Sequence, residues 1–195
     1  MATVVHSDRT KSADTSRLFL AIDAPERVCH LIAALGTPIA GIAWTPPERL
    51  HLTLRFLGAT PTERIPALCE RLRALRVAPF ILPVEGIGVF PPRGQPRILW
   101  CGVGQGLPHL RQLRQRVDDA LQALGLESDM EGFVPHFTLA RVSTAAPAAI
   151  AQWRHLHREF AAPPFQVDRF ALYASELQPT GAVHRLLESF PLLAH

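Results

Sequence analysis

Leu50-His-Leu-Thr-Leu-Arg-Phe-Leu57 alternates polar and apolar residues with a period of two. That period belongs to a half-buried strand, whose successive side chains point to opposite faces. His51, Thr53 and Arg55 therefore share one face, while Leu52, Leu54 and Phe56 anchor the other. The same arrangement returns 85 residues later in Pro135-His-Phe-Thr-Leu-Ala-Arg141, inside a strand expected over 133–142. There His136 and Thr138 share a face above Phe137 and Leu139. By the same parity Arg141 turns away from them unless a bulge intervenes.

Outward from these two strands the pattern alternates. Residues 17–22 read as a buried strand, and Asp23 with Pro25 opens a helix that ends near Leu35, before Gly36 and Pro38. The first motif strand breaks at Gly58–Pro61, and Thr62 starts a helix running to Leu75 with Ile65, Leu68, Leu72 and Leu75 on one face. Residues 79–90 and 97–103 form a hairpin about Pro91–Gly94. Apolar residues Leu110, Leu113, Val117, Leu121 and Leu124 mark a helix closed by Gly125. After the second motif come a helix over 147–160 and two strands, 165–174 and 182–192. Hairpins mixed with helical crossovers predict an α+β fold with two largely antiparallel sheets and flanking helices. Each motif strand is followed by a helix, which reads as a weak internal duplication: two lobes about a pseudo-twofold axis. Residues 1–16, polar and without period, are expected to be a flexible N-terminal extension, with 17–195 a single bilobal domain.

Composition narrows the class. Of the 195 residues 48% are hydrophobic and 19% charged, enough to bury a core without staples. No apolar run nears the ~20 residues of a membrane span, and the first 17 residues lack a signal-peptide core; a cytoplasmic protein without a membrane partner is expected. Three scattered cysteines in no Cys-x-x-Cys spacing read as buried thiols of a reducing compartment. The net charge of +3 permits an anionic partner without demanding one.

The paired motifs supply the chemistry. Two strands side by side line a groove with two imidazoles and two hydroxyls. One neutral imidazole takes a proton from an attacking water or hydroxyl, and the other, as imidazolium, protonates the departing oxygen. An ordinary pKa of ~6.5 leaves both states accessible. Thr53 and Thr138 donate to non-bridging phosphate oxygens, where charge grows in the transition state. Arg55, on the face of His51, is expected to reach a phosphate. No carboxylate or cysteine stands at ligand spacing beside either histidine, so no metal and no cofactor are expected. His155 and His157, two apart on a helix, diverge.

With these motifs the chain resembles the RNA 2′,3′-cyclic phosphodiesterases, also called 2′-5′ RNA ligases, of the two-histidine phosphoesterase superfamily. The resemblance runs from about Arg17 to Leu192. It takes in Arg17-Leu-Phe-Leu-Ala-Ile22, Trp44-x-Pro-Pro47, His51-Leu-Thr-Leu-Arg-Phe-Leu-Gly58, Gly86-Ile-Gly-Val-Phe-Pro91, Pro96-Arg-Ile-Leu-Trp100 and Pro135-His-Phe-Thr-Leu-Ala-Arg141. It implies a bilobal fold with the active site in a central cleft, and hydrolysis of terminal 2′,3′-cyclic phosphates to 2′-phosphates without ATP or metal. It also implies His51 as proton donor to the leaving 3′-oxygen, His136 as base for water, Thr53 and Thr138 as phosphate ligands, and Arg141 as the family's arginine after the second motif. An RNA 5′-hydroxyl in place of water gives 2′-5′ ligation. The implied partner is RNA with a cyclic phosphate end, tRNA fragments among them, bound by a monomer. His184 stands where relatives often carry an aromatic residue, and Arg49 replaces a small polar one. Two alternatives are a phosphodiesterase for small cyclic nucleotides or 2′-5′ oligoadenylates, with Phe19, Trp100 or Tyr173 stacking a base, and a non-catalytic RNA-binding module.

Overall fold

Period-two stretches form strands, and stretches with three-to-four spacing form helices. Their order is β1 (Thr15–Asp23), α1 (Glu26–Ala33), β2 (Ile42–Trp44), β3 (His51–Pro61), α2 (Ile65–Arg73), β4 (Phe80–Phe90), β5 (Ile98–Val103), α3 (Leu107–Gln122), β6 (His136–Val142), α4 (Pro147–Leu156), β7 (Ala161–Val167), β8 (Arg169–Gln178) and β9 (Gly181–Pro191). The computed structural model describes residues 14–104, 107–128, 132–145, 147–178 and 181–194. The expected flexible segment lies outside the described residues up to position 13. Thr15 and Ser16, at its end, stand in β1 opposite Pro61 and Thr60.

Three boundaries differ from the sequence reading. β2, only three residues long, pairs with β6 and carries too short a pattern to declare itself. The stretch 165–174 is two strands, because the chain leaves one edge of the sheet at Asp168 and re-enters elsewhere. β7 holds Pro163 and Pro164, which an edge strand tolerates because it need not donate on its open side. β3 does not stop at Gly58: that glycine takes φ +67° at a bulge and pairing continues to Pro61.

The strand order is β7-β4-β5-β6-β3-β1-β8-β9, with β2 on β6 and antiparallel pairing throughout the described residues. Four strands on each side make two lobes. Their junction is β3 against β6, through one register pair among the described residues, Leu52 opposite Phe137. The two antiparallel lobes thus hydrogen-bond into one nine-stranded sheet at the two His-x-Thr strands.

The helices cover one face of this sheet. Val28, Cys29 and Ile32 of α1, Leu68, Cys69 and Leu72 of α2, and Leu110, Leu113, Val117 and Leu121 of α3 are buried at helical spacing. They meet Leu18, Leu20, Ile22, Leu52, Leu54, Phe137 and Leu139 in a continuous core that spans both lobes. Each such side chain contributes about 1.5–3 kcal/mol when fully buried. Trp153 of α4 is 2% exposed, and its indole N–H donates to the Leu35 carbonyl at 2.8 Å, tying α4 to the end of α1. With one sheet face committed to the core, the other face of β3 and β6 is left for the cleft.

Candidate active site

β3 and β6 carry the same local irregularity. Thr53 and Arg55 oppose Ala21 and Leu20, so Leu54 is an extra residue; Thr138 and Ala140 oppose Trp100 and Leu99, so Leu139 is its counterpart. A bulge puts two neighbouring side chains on one side and reverses the parity beyond it. Leu54 and Arg55 are both buried, as are Leu139 and Ala140, and the fifth residue after each histidine, Phe56 or Arg141, is exposed. From His51 and from His136 the burial alternates identically over seven residues. This supports the duplication read from sequence.

The bulges also correct the parity reading of two arginines. Arg55 does not join His51 and Thr53. It turns into the protein at 7% exposure, its Nε 3.5 Å from Asp118 Oδ1 and one terminal nitrogen donating to the Glu127 carbonyl. Asp118 also accepts from Arg114 at 2.6 Å and from the Ser128 hydroxyl. Arg55 thus ties β3 to α3 and to the segment leading into β6, and the sequence assignment of Arg55 to substrate is withdrawn. Arg141, which strict alternation would send inward, comes out on the side of His136 and Thr138.

His51, Thr53, His136 and Thr138 are all half-buried on the cleft face. Because β3 and β6 cross antiparallel at Leu52 and Phe137, His51 lies toward the Thr138 end and Thr53 toward the His136 end. The two imidazoles are fixed in the same way. His51 Nδ1 donates to the Arg49 carbonyl at 2.9 Å, and His136 Nδ1 donates to the Val134 carbonyl at 2.7 Å. A carbonyl only accepts, so each Nδ1 holds a hydrogen and each Nε2 is the free working nitrogen. Burial pushes the His51 pKa below its ordinary value; the Arg49 carbonyl and the Asp23 carboxylate oppose this, while His136 adds to it. Burial likewise lowers His136, against the Val134 carbonyl. Both rings can therefore be neutral near pH 7.

The two histidines have unlike surroundings. Phe19 underlies the first: its ring lies 5.1 Å from His51, 4.8 Å from His184, 5.3 Å from Tyr173 and 6.2 Å from Phe56, centroid to centroid. A pocket of about 460 Å³ opens here, lined among others by Glu48, Arg49, His51, Tyr173 and His184. The Tyr173 hydroxyl donates to Asp23 Oδ2 at 2.6 Å. His136 instead faces an aromatic wall, Phe90 at 5.0 Å and Trp100 at 6.2 Å. Sequence reasoning named Phe19, Trp100 and Tyr173 as stacking groups but missed Asp23, Glu48, Phe56 and Phe90 as site residues. Asp23 carried only a helix-capping signal, and Phe56 an inward parity.

Among the described residues no three His, Cys, Asp or Glu side chains gather where they would hold a metal ion. Cys29, Cys69 and Cys101 are buried free thiols. No described helix is long and apolar enough to cross a membrane. The chain, then, presents two imidazoles, two hydroxyls and an exposed arginine on one face of β3 and β6, groups able to exchange protons and to hold an anion.

A family model described as the 2′-5′ RNA ligase superfamily matches residues 9–179. The RNA 2′,3′-cyclic phosphodiesterase of Thermus thermophilus is 37% identical over 187 residues, 90% of this chain and 90% of the relative. That of Thermotoga maritima is 35% identical over 179 residues, 88% and 92%. The crystal structure of TT0787 of Thermus thermophilus superimposes with a TM-score of 0.74 at 33% identity, covering 91% of this chain and 98% of that one.

Proposed function

Because this chain belongs to the 2′-5′ RNA ligase superfamily, we propose that it hydrolyses the 2′,3′-cyclic phosphate ends of RNA to 2′-phosphates by metal-independent acid–base catalysis. The observation that carries this reading is the matched pair of imidazoles, each locked through Nδ1 to the carbonyl two residues before it, with Nε2 turned to a shared cleft.

In the reaction His136 Nε2 takes a proton from water as the water oxygen bonds to phosphorus. The bond from phosphorus to the 3′-oxygen breaks, and that oxygen takes the proton from His51 Nε2. The products are a 2′-phosphate and a 3′-hydroxyl; proton exchange with solvent resets both rings. Attacking and leaving oxygens occupy opposite ends of the displacement, so the nucleoside lies toward the acid. The nucleoside-sized pocket borders His51 and not His136, which supports His51 as the acid. Thr53, Thr138 and Arg141 hold the non-bridging oxygens, and binding of that anion raises the pKa of the ring that must be charged. With an RNA 5′-hydroxyl in place of water the same displacement makes a 2′-5′ linkage.

The reading treats 17–195 as one bilobal catalytic unit, supported by the core common to both lobes, and as a monomer acting on cyclic-ended RNA such as tRNA fragments. Its place is the reducing cytoplasm, in keeping with the free thiols. Product analysis on a cyclic-ended oligonucleotide, with and without EDTA, tests the whole. A 2′-phosphate at equal rate in both supports it. A 3′-phosphate reverses the two histidines, and loss in EDTA removes the metal-free mechanism.

A further inference from the structure

The duplicated lobes differ in the residue that pairs across strands with each histidine. In β1 the cross-strand partner of His51 is Asp23; in β5 the cross-strand partner of His136 is Gly102. We propose that Asp23, held by the Tyr173 hydroxyl, is a positioning residue that keeps the transferable proton on His51 and leaves His136 to act as base. The proposal rests on the acid–base reading above and supplies the physical cause of its asymmetry.

Asp23 ends β1 directly opposite His51, and its carboxylate accepts the Tyr173 O–H at 2.6 Å. That bond uses one oxygen and holds the carboxylate at the pocket that His51 also lines. The other titratable or charged groups around His51 are Glu48 and Arg49 from the preceding turn, Tyr173 of β8, His184 of β9 and His136 of β6. Of these, the Arg49 carbonyl favours an imidazolium and the charge of His136 disfavours one. Among the carboxylates Asp23 is tied down by a hydrogen bond, and it draws the His51 pKa upward against burial.

The equivalent place in the other lobe is crowded. A Cβ on Gly102 would come within 3.1 Å of the Glu85 carbonyl oxygen and of the Trp100 ring. The ring wall that shields His136 therefore also crowds any side chain at position 102. Among the described residues burial dominates the His136 pKa, and no acidic side chain opposes it. A carboxylate thus favours the charged form of His51, and no acidic side chain does the same for His136. Such a division is what a displacement needs when a neutral base and a charged acid work together.

Asp23→Asn keeps the size of the side chain and an oxygen for Tyr173 while removing the charge. Ring-proton NMR titration of the free protein should show the His51 midpoint falling and that of His136 unmoved. The alkaline limb of the kcat/KM profile on a cyclic-ended RNA should move to lower pH. Because Asp23 is exposed, solvent screens the effect: the alkaline-side loss should be roughly 3–10-fold at low salt and shrink as salt rises. Asp23→Glu, which restores the charge, should recover the midpoint. An unmoved His51, equal shifts at both rings, or movement of the acid limb instead overturns the proposal. A parent protein without turnover, in which the NMR shift is nonetheless seen, would refute the function reading while sustaining the coupling of Asp23 to His51.

Discussion

Gly88 offers a steric test of how the second lobe holds its histidine. It pairs with Trp100 across β4 and β5, and the indole lies over it: a Cβ there would meet Trp100 Cζ2 at 2.0 Å, and Cε2 and Cη2 at 2.4 Å. Ordinary Cβ contact starts at 3.4 Å. In Gly88→Ala the ring must therefore move by about 1.4 Å or more, an overlap well beyond soft repulsion. The displaced indole pushes on Phe90 and His136, whose rings lie 5.3 and 6.2 Å from it. Overpacking costs about 1–3 kcal/mol, which lowers Tm by roughly 2–12 °C in a domain of this size. A shift of about 1 Å at a catalytic group costs on the order of 10²-fold, so kcat should fall roughly 10–100-fold with KM changed less. Steady-state rates on a cyclic-ended RNA and a thermal melt measure both. Trp100→Phe in the same chain removes colliding ring atoms and should recover most of the stability. Parental kcat and Tm in Gly88→Ala would show that the aromatic wall does not position His136.

Alanine at His51 or His136 should cut turnover by roughly 10²–10⁴-fold, with melting preserved; valine at Thr53 or Thr138 should cost less, about 10²-fold, as one oxyanion donor of several. The two arginines should separate cleanly. Arg55→Met breaks a buried ion pair and should lose about 3–5 kcal/mol of stability in a denaturant melt, whereas Arg141→Met should melt normally and lose kcat/KM together with its salt dependence. Burial lowers the folded-state pKa of His51, His136 and His184, with charge repulsion adding to it at His184. The unfolded chain then binds more protons near neutrality, so stability is full above the ordinary histidine value and declines as pH falls through it toward the folded-state values. Glutamine at these three positions should flatten that slope of Tm against pH, and an unchanged slope would assign the pH dependence to other groups.

The two lobes share a strand irregularity but use its product differently. The residue after each bulge reaches the cleft, and it is an aromatic ring in one lobe and a guanidinium in the other. Phe56 is 67% exposed and its ring lies tilted 6.2 Å from that of Phe19, at the end of β3 where Thr53 lies toward His136. Arg141 stands at the opposite end, toward His51. The cleft thus carries a guanidinium at the His51 end and an exposed aromatic ring at the His136 end.

Period-two alternation and paired motifs made both motif strands, both histidines and both threonines legible in the sequence alone. Each depends on a local rule: side chains two apart in a strand share a face. Helix faces such as Leu110, Leu113, Val117 and Leu121 were legible for the same reason. The arginines were not, because one extra residue in a strand inverts every later side chain, and only pairing with a neighbour reveals where it is inserted. Leu54 and Leu139 look like ordinary core leucines until Leu20 and Leu99 are placed beside them. Asp23 likewise reads as a helix cap until β1 sets it opposite His51 and β8 brings Tyr173 to it from 150 residues away. The sequence by itself determined which groups can exchange protons. The tertiary structure decided which arginine faces the cleft and which histidine pairs across strands with a carboxylate residue, because register and long-range charge exist only once strands distant in the chain are paired.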